Sequence, residues 1–523
     1  MKKNLTEFLE AFKNEIVALK IGAGSKTIAG ITADSKKVRK NFIFCALAGK
    51  KVHGIKFVPE AAARFASAFI IETPHSEGSI RQLSNGPLAR RSAVLSANGL
   101  GGLIGALANW VYDDPSKDLP LVAITGTNGK TTITYMLESI ANGAKKNVGV
   151  LGTVNYRVKG TVNSASLTTP QSDELIGYLA AMRDNRCDFC FMEATSQALD
   201  MGRLNDLKID GAVFTNLTQD HLDYHKTMEG YFQAKSKLFL ELLANSSKKN
   251  RFVAINVDDV WGSKLWRKTY SLERVQKLSF GIKNEEAMVQ ARQVIDNTHG
   301  ISFVLKIKKE SIPVSLNLLG LHNVSNALAA AASAWALGFS LKEIKHGLET
   351  LRAVPGRLEQ VLEAKDFLVL VDYAHTPDAL ENVIRAVKNV DGVKRVITVF
   401  GCGGNRDRGK RPIMGQIAAR LGDFAVITSD NPRGENPSAI VAEIEAGIKA
   451  IDQTNYKIIV DRKCAIAWAI GNAKRGDCVL LAGKGHETYQ IFKDKTIHFD
   501  DREICREILS GRLLEENKGK NND

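Results

Sequence analysis

LVAITGTNGKTTITYMLESIAN, Leu121–Asn142, decides how the chain is read. LVAIT is an apolar run that reads as a buried strand, GTNGK is a glycine turn, and TTITYMLESIAN carries a helical pattern. Strand, glycine turn, Lys-Thr and helix together make a phosphate cradle. Glycines let backbone N–H groups come close to phosphate, and the helix N-terminus adds positive potential. Gly126, Thr127, Asn128, Gly129, Lys130, Thr131 and Thr132 form the candidate nucleotide loop. Lys130 would reach the β/γ-phosphates and the Thr131 hydroxyl would ligate Mg²⁺. Ile124 stands where the general P-loop pattern has a glycine.

Further strands are expected at DFCFME, GAVFTN and RFVAIN, with helical patterns between them, so the unit is α/β and ends near Thr350. Before it, TIAGITADSKKVRKNFIFCAL alternates like strands around a polar turn. GLGGLIGALANWVYDDPSKDLP reads as a helix and linker closed by Pro115 and Pro120. After it, FLVLVDYAH, VITVFGCGGNRDRGKR, FAVITSDNPRGEN and CVLLAGKGHE each read as a strand running into a polar loop, the first three followed by a helix. That repetition predicts a parallel, doubly wound sheet, whose ligands gather outside the carboxyl ends of the strands. The expected architecture is α/β in three domains: 1–117, a central P-loop ATPase-type domain at 118–350 and a Rossmann-like domain at 351–515. A disordered tail is expected at 516–523.

The chain has 523 residues and a formal charge of +14, from 71 basic and 57 acidic residues. The basic residues are scattered, without the long basic block and interleaved aromatics of a nucleic-acid binder. A polyanionic small substrate fits better. Seven cysteines, an odd number, argue for reduced thiols and a cytoplasmic compartment. Cys187 and Cys190 form a C-x-x-C inside a buried-strand pattern, and no second pair has metal-ligand spacing. The N-terminus has acidic residues where a signal peptide has its apolar core. The most apolar stretch, NALAAAASAWALGF, is too short to span a bilayer.

Two further stretches carry chemistry. In FMEATSQALDMGRL, Glu193 ends a strand that could lie beside the loop strand, where a carboxylate can hold a metal near the γ-phosphate. In TNLTQDHLDYH, Asp220, His221, Asp223 and His225 concentrate metal-type or proton-handling groups at a strand end. YFQAKSKLF follows, with Lys235 on a helical pattern. Arg433, in SDNPRGENP, would in isolation be a solvated loop charge. Its place at the carboxyl edge of a doubly wound sheet argues otherwise.

Taken in order, GTNGKTT, EATSQAL, TNLTQDHLDYH, YFQAKSKLF, LHNVSNALAA, VPGRLE, DYAHTPDAL, GCGGNRDRGKRP, SDNPRGENP and GKGHE resemble the Mur ligases. The resemblance is closest to the members that add the third residue of the peptidoglycan stem peptide, and it covers nearly the whole chain. It implies that ATP phosphorylates the D-glutamyl γ-carboxylate of UDP-MurNAc-L-Ala-D-Glu and that an incoming amine attacks the acyl phosphate. It implies Mg²⁺ held by Thr131, Glu193, His221 and Lys235, with Lys235 carbamylated to N6-carboxylysine. Ser35 would contact the uridine nucleotide. Thr168, Thr169, Thr195 and Arg203 would hold the middle of that substrate. His322, Asn326, Arg357 and Asp372 would line the adenine side. Where the family often reads Glu-x-Ser-Ser-His this chain reads EATSQ, so Gln197 receives no role.

The same resemblance makes Arg433 the fork for the far carboxylate of meso-diaminopimelate, which L-lysine lacks. Arg406, Asp430, Asn431, Pro432, Gly483 and Glu487 would complete that pocket, with Asp430 and Glu487 taking the ammonium. The implied enzyme is a monomer with no nucleic-acid or membrane partner. Rival readings are an L-lysine-adding ligase of the same family, a folylpolyglutamate synthetase-like ligase and a P-loop regulatory ATPase. The last leaves GCGGNRDRGKR and GKGHE unexplained.

Overall fold

A computed structural model describes residues 3–22, 27–49, 52–73, 83–297 and 300–520. The decisive stretch forms strand β1 (Leu121–Thr125), buried at every position, and helix α1 (Lys130–Gly143). Ile133, Met136, Leu137 and Ile140 recur at helical spacing and are all buried against the sheet.

β1 lies at the middle of an eleven-stranded sheet. Its neighbours are β2 (Phe189–Glu193) and β3 (Gly211–Phe214), both parallel to it, followed by β4 (Arg251–Asn256) beyond β3. Helix α2 (Met228–Lys237) connects β3 to β4. Glu193 pairs in register with Ile124, so its carboxylate stands at the same edge as the glycine turn. The sheet is extended by antiparallel pairs the sequence reading did not resolve, an Asn155–Val158/Thr161–Ser164 hairpin on one side and a meander over residues 289–316 on the other. Helix α3 (His322–Ala336) packs an alanine-rich, almost entirely buried surface on this sheet. Small side chains let it lie close.

The last sheet contains β5 (Leu368–Asp372), followed by helix α4 (Pro377–Lys388), then β6 (Arg395–Phe400), α5 (Lys410–Leu421), β7 (Phe424–Ile427), α6 (Pro437–Lys449) and β8 (Asp477–Ala482). The four strands are parallel, as the repeated strand–loop–helix pattern predicts, and lie in the order β5-β8-β6-β7. Apolar clusters fill both faces of this sheet. The four polar loops after these strands therefore share one edge.

The N-terminal sheet has five strands, with Ile16–Lys20 antiparallel at one edge and the other four parallel. It joins the central unit through a shared apolar cluster and through polar contacts: the Ala33 amide donates to Asp173 at 2.8 Å and Lys37 pairs with Glu174 at 2.6 Å. Residues 516–520, part of the expected tail, continue the last helix, α7 (Asp501–Lys520), in which Leu513, Leu514, Glu515 and Glu516 are good helix formers. Residues 521–523 lie outside the described residues. No described helix is long and apolar enough to cross a membrane.

Candidate active site

The glycine turn closes tightly on its surroundings. Gly126 and Gly129 have φ of +146° and +89°, and a Cβ at these positions would lie 1.8 Å from Thr215 Oγ1 and 2.3 Å from Asn326 Oδ1. Glycine is required there by both backbone and space. Thr215 and Asn216 brace the turn: the Thr215 hydroxyl donates to the Asn128 carbonyl at 2.6 Å, and the Asn128 amide donates to Asn216 Oδ1 at 3.0 Å. Neither support was singled out from the sequence, although both lie in the TNLTQDHLDYH motif. Asn326 is itself held by Asn323 at 3.0 Å.

Two lysines converge on this turn. Lys130 Nζ donates to the carbonyls of Gly126 (2.9 Å) and Thr127 (2.7 Å), and Lys235 Nζ donates to the same Gly126 carbonyl at 2.8 Å. Lys235 comes from α2, is almost completely buried, and lies 4.6 Å from the ring centroid of Tyr231. Burial, and then the neighbouring Lys130 charge, hold the Lys235 amine well below the ordinary lysine range. Burial also lowers Lys130. The Tyr231 hydroxyl reaches Thr127 Oγ1 at 3.3 Å, so one aromatic residue braces both the turn and Lys235.

Glu193 is buried. It accepts hydrogen bonds from Thr131 Oγ1 (3.0 Å) and from the amide and hydroxyl of Thr153 (2.8 and 2.9 Å). Thr153 is a support the sequence reading missed. His221 is exposed, with φ of +53°, and its Nδ1 lies 3.5 Å from the Gln197 amide nitrogen. The residue given no role thus touches a proposed site residue. Among the described residues no cluster of three or more His, Cys, Asp or Glu could cage a metal. The Thr131–Glu193 pair still suits Mg²⁺, which binds one or two protein oxygens and leaves the rest of its shell to phosphates and water.

Thr168, Thr169, Thr195 and Arg203 come together beside Glu193. Thr169 Oγ1 donates to the Glu193 carbonyl at 2.8 Å and accepts from the Thr195 amide at 3.1 Å. Thr168 touches Thr153, and Arg203 donates to the Thr169 carbonyl at 3.0 Å. Ser35 opens a 3₁₀ turn after the Gly30–Thr32 strand of the N-terminal sheet, its hydroxyl donating to Glu60 at 2.7 Å. From the last unit, the Arg357 guanidinium reaches Thr131 Oγ1 at 3.3 Å and lies 5.4 Å from the Tyr373 ring centroid. Asp372, raised by burial, spends its two oxygens on the amides of Leu358 and Ala374, both at 2.8 Å. It therefore shapes the turn that carries Arg357. His322 begins α3, close to Gly320.

The loops after β6, β7 and β8 interlock. Arg433 takes φ of +52°, a costly conformation for a residue with a Cβ. Its amide donates to the Ile491 carbonyl at 2.9 Å, and its guanidinium rests on the carbonyls of Gly404 (3.2 Å) and Asn431 (3.4 Å). The fully buried Arg411 of α5 binds Glu435, in the loop after β7, and Glu443 of α6, each at 2.9 Å, tying α5 to that loop and its helix. Asn431 donates to Glu487 at 2.9 Å and accepts from the Ile491 amide at 3.0 Å. Asp430 is buried, while Arg406 is exposed on the facing loop. Gly483 and Glu487 sit on the loop after β8, where the Gly483 amide donates to the Asp372 carbonyl at 3.0 Å.

Residues 124–334 match the Mur ligase middle domain, and residues 356–485 match the Mur ligase glutamate ligase domain. The chain is 39% identical over 507 residues to the UDP-N-acetylmuramoyl-L-alanyl-D-glutamate–2,6-diaminopimelate ligase of Syntrophomonas wolfei, covering 97% of this chain and all of that one. The chain belongs to the Mur ligase family. This Mur ligase is also 41% identical to the ligase of the same name from Geobacillus thermodenitrificans, over 94% of this chain and 96% of that one. A solved structure of a ligase of that name superposes with a TM-score of 0.65 at 30% identity, covering 98% of this chain and 100% of the other. The chain is thus an enzyme of the ligase class.

Proposed function

We propose that this Mur ligase joins meso-diaminopimelate to UDP-MurNAc-L-Ala-D-Glu at the expense of ATP, in peptidoglycan precursor synthesis in the cytoplasm. The observation that carries the choice of amino acid is Arg433. Its guanidinium rests on neutral carbonyl oxygens beside Asp430 and Glu487, so a ligand with both a carboxylate and an ammonium at its far end finds both counter-charges.

The γ-phosphoryl group of ATP passes to the D-glutamyl γ-carboxylate, giving ADP and an acyl phosphate. The amine of diaminopimelate attacks the carbonyl carbon, phosphate leaves with the C–O bonding pair, and the amine's proton passes to solvent or a nearby base. Lys130 turns from the Gly126 and Thr127 carbonyls toward the phosphates. Glu193, Thr131, His221 and carbamylated Lys235 would hold Mg²⁺, which when bound offsets repulsion between a carboxylate and a triphosphate. Burial and the adjacent Lys130 lower the Lys235 amine, which favours the neutral form that reacts with CO₂. Thr168, Thr169, Thr195 and Arg203 orient the dipeptide, Ser35 meets the uridine end, and His322, Asn326, Arg357 and Asp372 frame the adenine.

The test is phosphate release with ATP, UDP-MurNAc-L-Ala-D-Glu and a panel of amino acids. Turnover with meso-diaminopimelate and little with L-lysine or L-glutamate supports the assignment. Equal use of L-lysine sinks it.

A further inference from the structure

Lys484 lies in the GKGHE motif and is completely buried. Its Nζ donates to the Tyr489 carbonyl at 2.6 Å and to Glu487 Oε2 at 3.2 Å, and stands 3.7 Å from Asp430 Oδ1. The same Glu487 oxygen accepts from Asn431 at 2.9 Å, and Asn431 Nδ2 lies 3.5 Å from Asp430 Oδ1. One buried ammonium and one amide therefore bridge two carboxylates that come from loops after different strands, β7 and β8.

Two carboxylates facing one cavity repel each other and turn apart unless a cation sits between them. A free lysine in water would gain little from such contacts. A buried one, already bonded to a carbonyl, is fixed in place and fixes its partners. The formal charge of the group is −1, the charge of two carboxylates less one ammonium. That suits a ligand end presenting one ammonium, since two uncompensated carboxylates would also attract stray cations.

We propose that Lys484 is a positioning residue of the amino-acid pocket: it holds Asp430 and Glu487 in one arrangement and leaves the pair a single net negative charge for the substrate's ammonium. This rests on the reading of these loops as the diaminopimelate pocket. Lys484 need not touch the ligand, because its bonds are already made to Tyr489 and Glu487.

The experiment is steady-state kinetics on the full chain for wild type, K484M, K484Q and K484R. Each of the three substrates is varied in turn with the others saturating, and folding is checked by circular dichroism. K484M and K484Q remove the charge, and K484Q keeps a donor. Breaking a buried, hydrogen-bonded charge pair is costly, so KM for meso-diaminopimelate should rise roughly tenfold or more. KM for ATP and for the UDP-substrate should stay within about twofold, because their binding groups lie elsewhere. K484R, which restores the charge, should recover much of the lost affinity. A folded neutral variant with unaltered KM for diaminopimelate overturns the proposal. So does a parallel rise in all three constants, or failure of both neutral variants to fold, since each marks a merely structural lysine. If the pocket reading itself is wrong, wild type shows no diaminopimelate-dependent turnover, a different result from any of these.

Discussion

The glycine turn and the proposed diaminopimelate pocket handle charge in opposite ways. At the turn, Lys130 and Lys235 crowd onto one carbonyl oxygen, that of Gly126. Burial lowers both amines, and the Lys130 charge lowers Lys235 further, so this region is electrostatically unfinished. In the pocket, Lys484 sits between Asp430 and Glu487, and Arg411 between Glu435 and Glu443. That region is nearly complete before any ligand arrives. The difference matches the two tasks proposed for them. A site that must stabilise charge developing during phosphoryl transfer benefits from uncompensated positive groups. A site that must tell one amino acid from another benefits from fixed geometry, because discrimination depends on what a wrong ligand leaves unpaired.

The contrast breaks first at Lys130. K130A should lower turnover by roughly 10³-fold or more, the scale of a lost transition-state donor, while circular dichroism stays native. Near-normal turnover would mean that the turn does not work through its unfinished charge. At the pocket, R433A should leave turnover possible but remove most of the preference for meso-diaminopimelate over L-lysine. Truncating one partner of a buried charge pair costs roughly 2–5 kcal/mol, or about 30- to 5000-fold in the ratio of kcat/KM values. An unchanged ratio would make Arg433 a loop charge whose strained φ serves only the turn.

Lys235 sharpens the same contrast, because carbamylation would convert one of the two crowded cations into an anion. K235A should lose roughly 100-fold in kcat and regain part of it with formate or acetate, small carboxylates that can enter the space left. NMR with ¹³C-bicarbonate should show a carbamate signal in wild type that K235A lacks. Absence of both the signal and the rescue would leave Lys235 an ordinary buried amine braced by Tyr231.

What the sequence made legible divides along the same line. The turn, the parallel order of β5 to β8 and the loops at their carboxyl edge could be read because each depends on local spacing: an apolar run, turn residues, then a helical period. Lys484 and Arg411 lie inside quoted motifs, yet neither is singled out there. Their burial depends on the loops after β6, β7 and β8 meeting, which no local pattern reports. The antiparallel meander over 289–316 was missed for another reason. Its strands Gly300–Ile307 and Glu310–Leu316 join through Lys308-Lys309, a turn with no glycine, asparagine or proline to announce it. Gln197 was set aside for departing from the family's histidine. Only the position of His221 shows that its amide lies beside that imidazole.

The smallest expected effect lies on the bridge between the two regions. Thr218, in the loop after β3, donates its hydroxyl to Asp378 at the start of α4, at 3.2 Å. Burial raises the Asp378 carboxyl, and the Thr218 hydrogen bond opposes that rise by favouring the charged form. The sign follows. With its value raised, the docked arrangement holds its proton more tightly than an exposed carboxyl does, so docking weakens as pH climbs from the ordinary carboxylate value through the raised one, and is level above it. T218V removes the opposing bond, so Asp378 should titrate at a higher pH than in wild type, which side-chain ¹³C NMR can follow. A single hydrogen bond contributes about 0.5–1.5 kcal/mol, so kcat/KM for diaminopimelate should fall only about two- to tenfold, with the diaminopimelate-to-lysine ratio unchanged. A change in that ratio would mean that the bridge tunes the pocket itself. The two regions would then be one coupled site, and the division between unfinished and completed charge would no longer separate catalysis from selection.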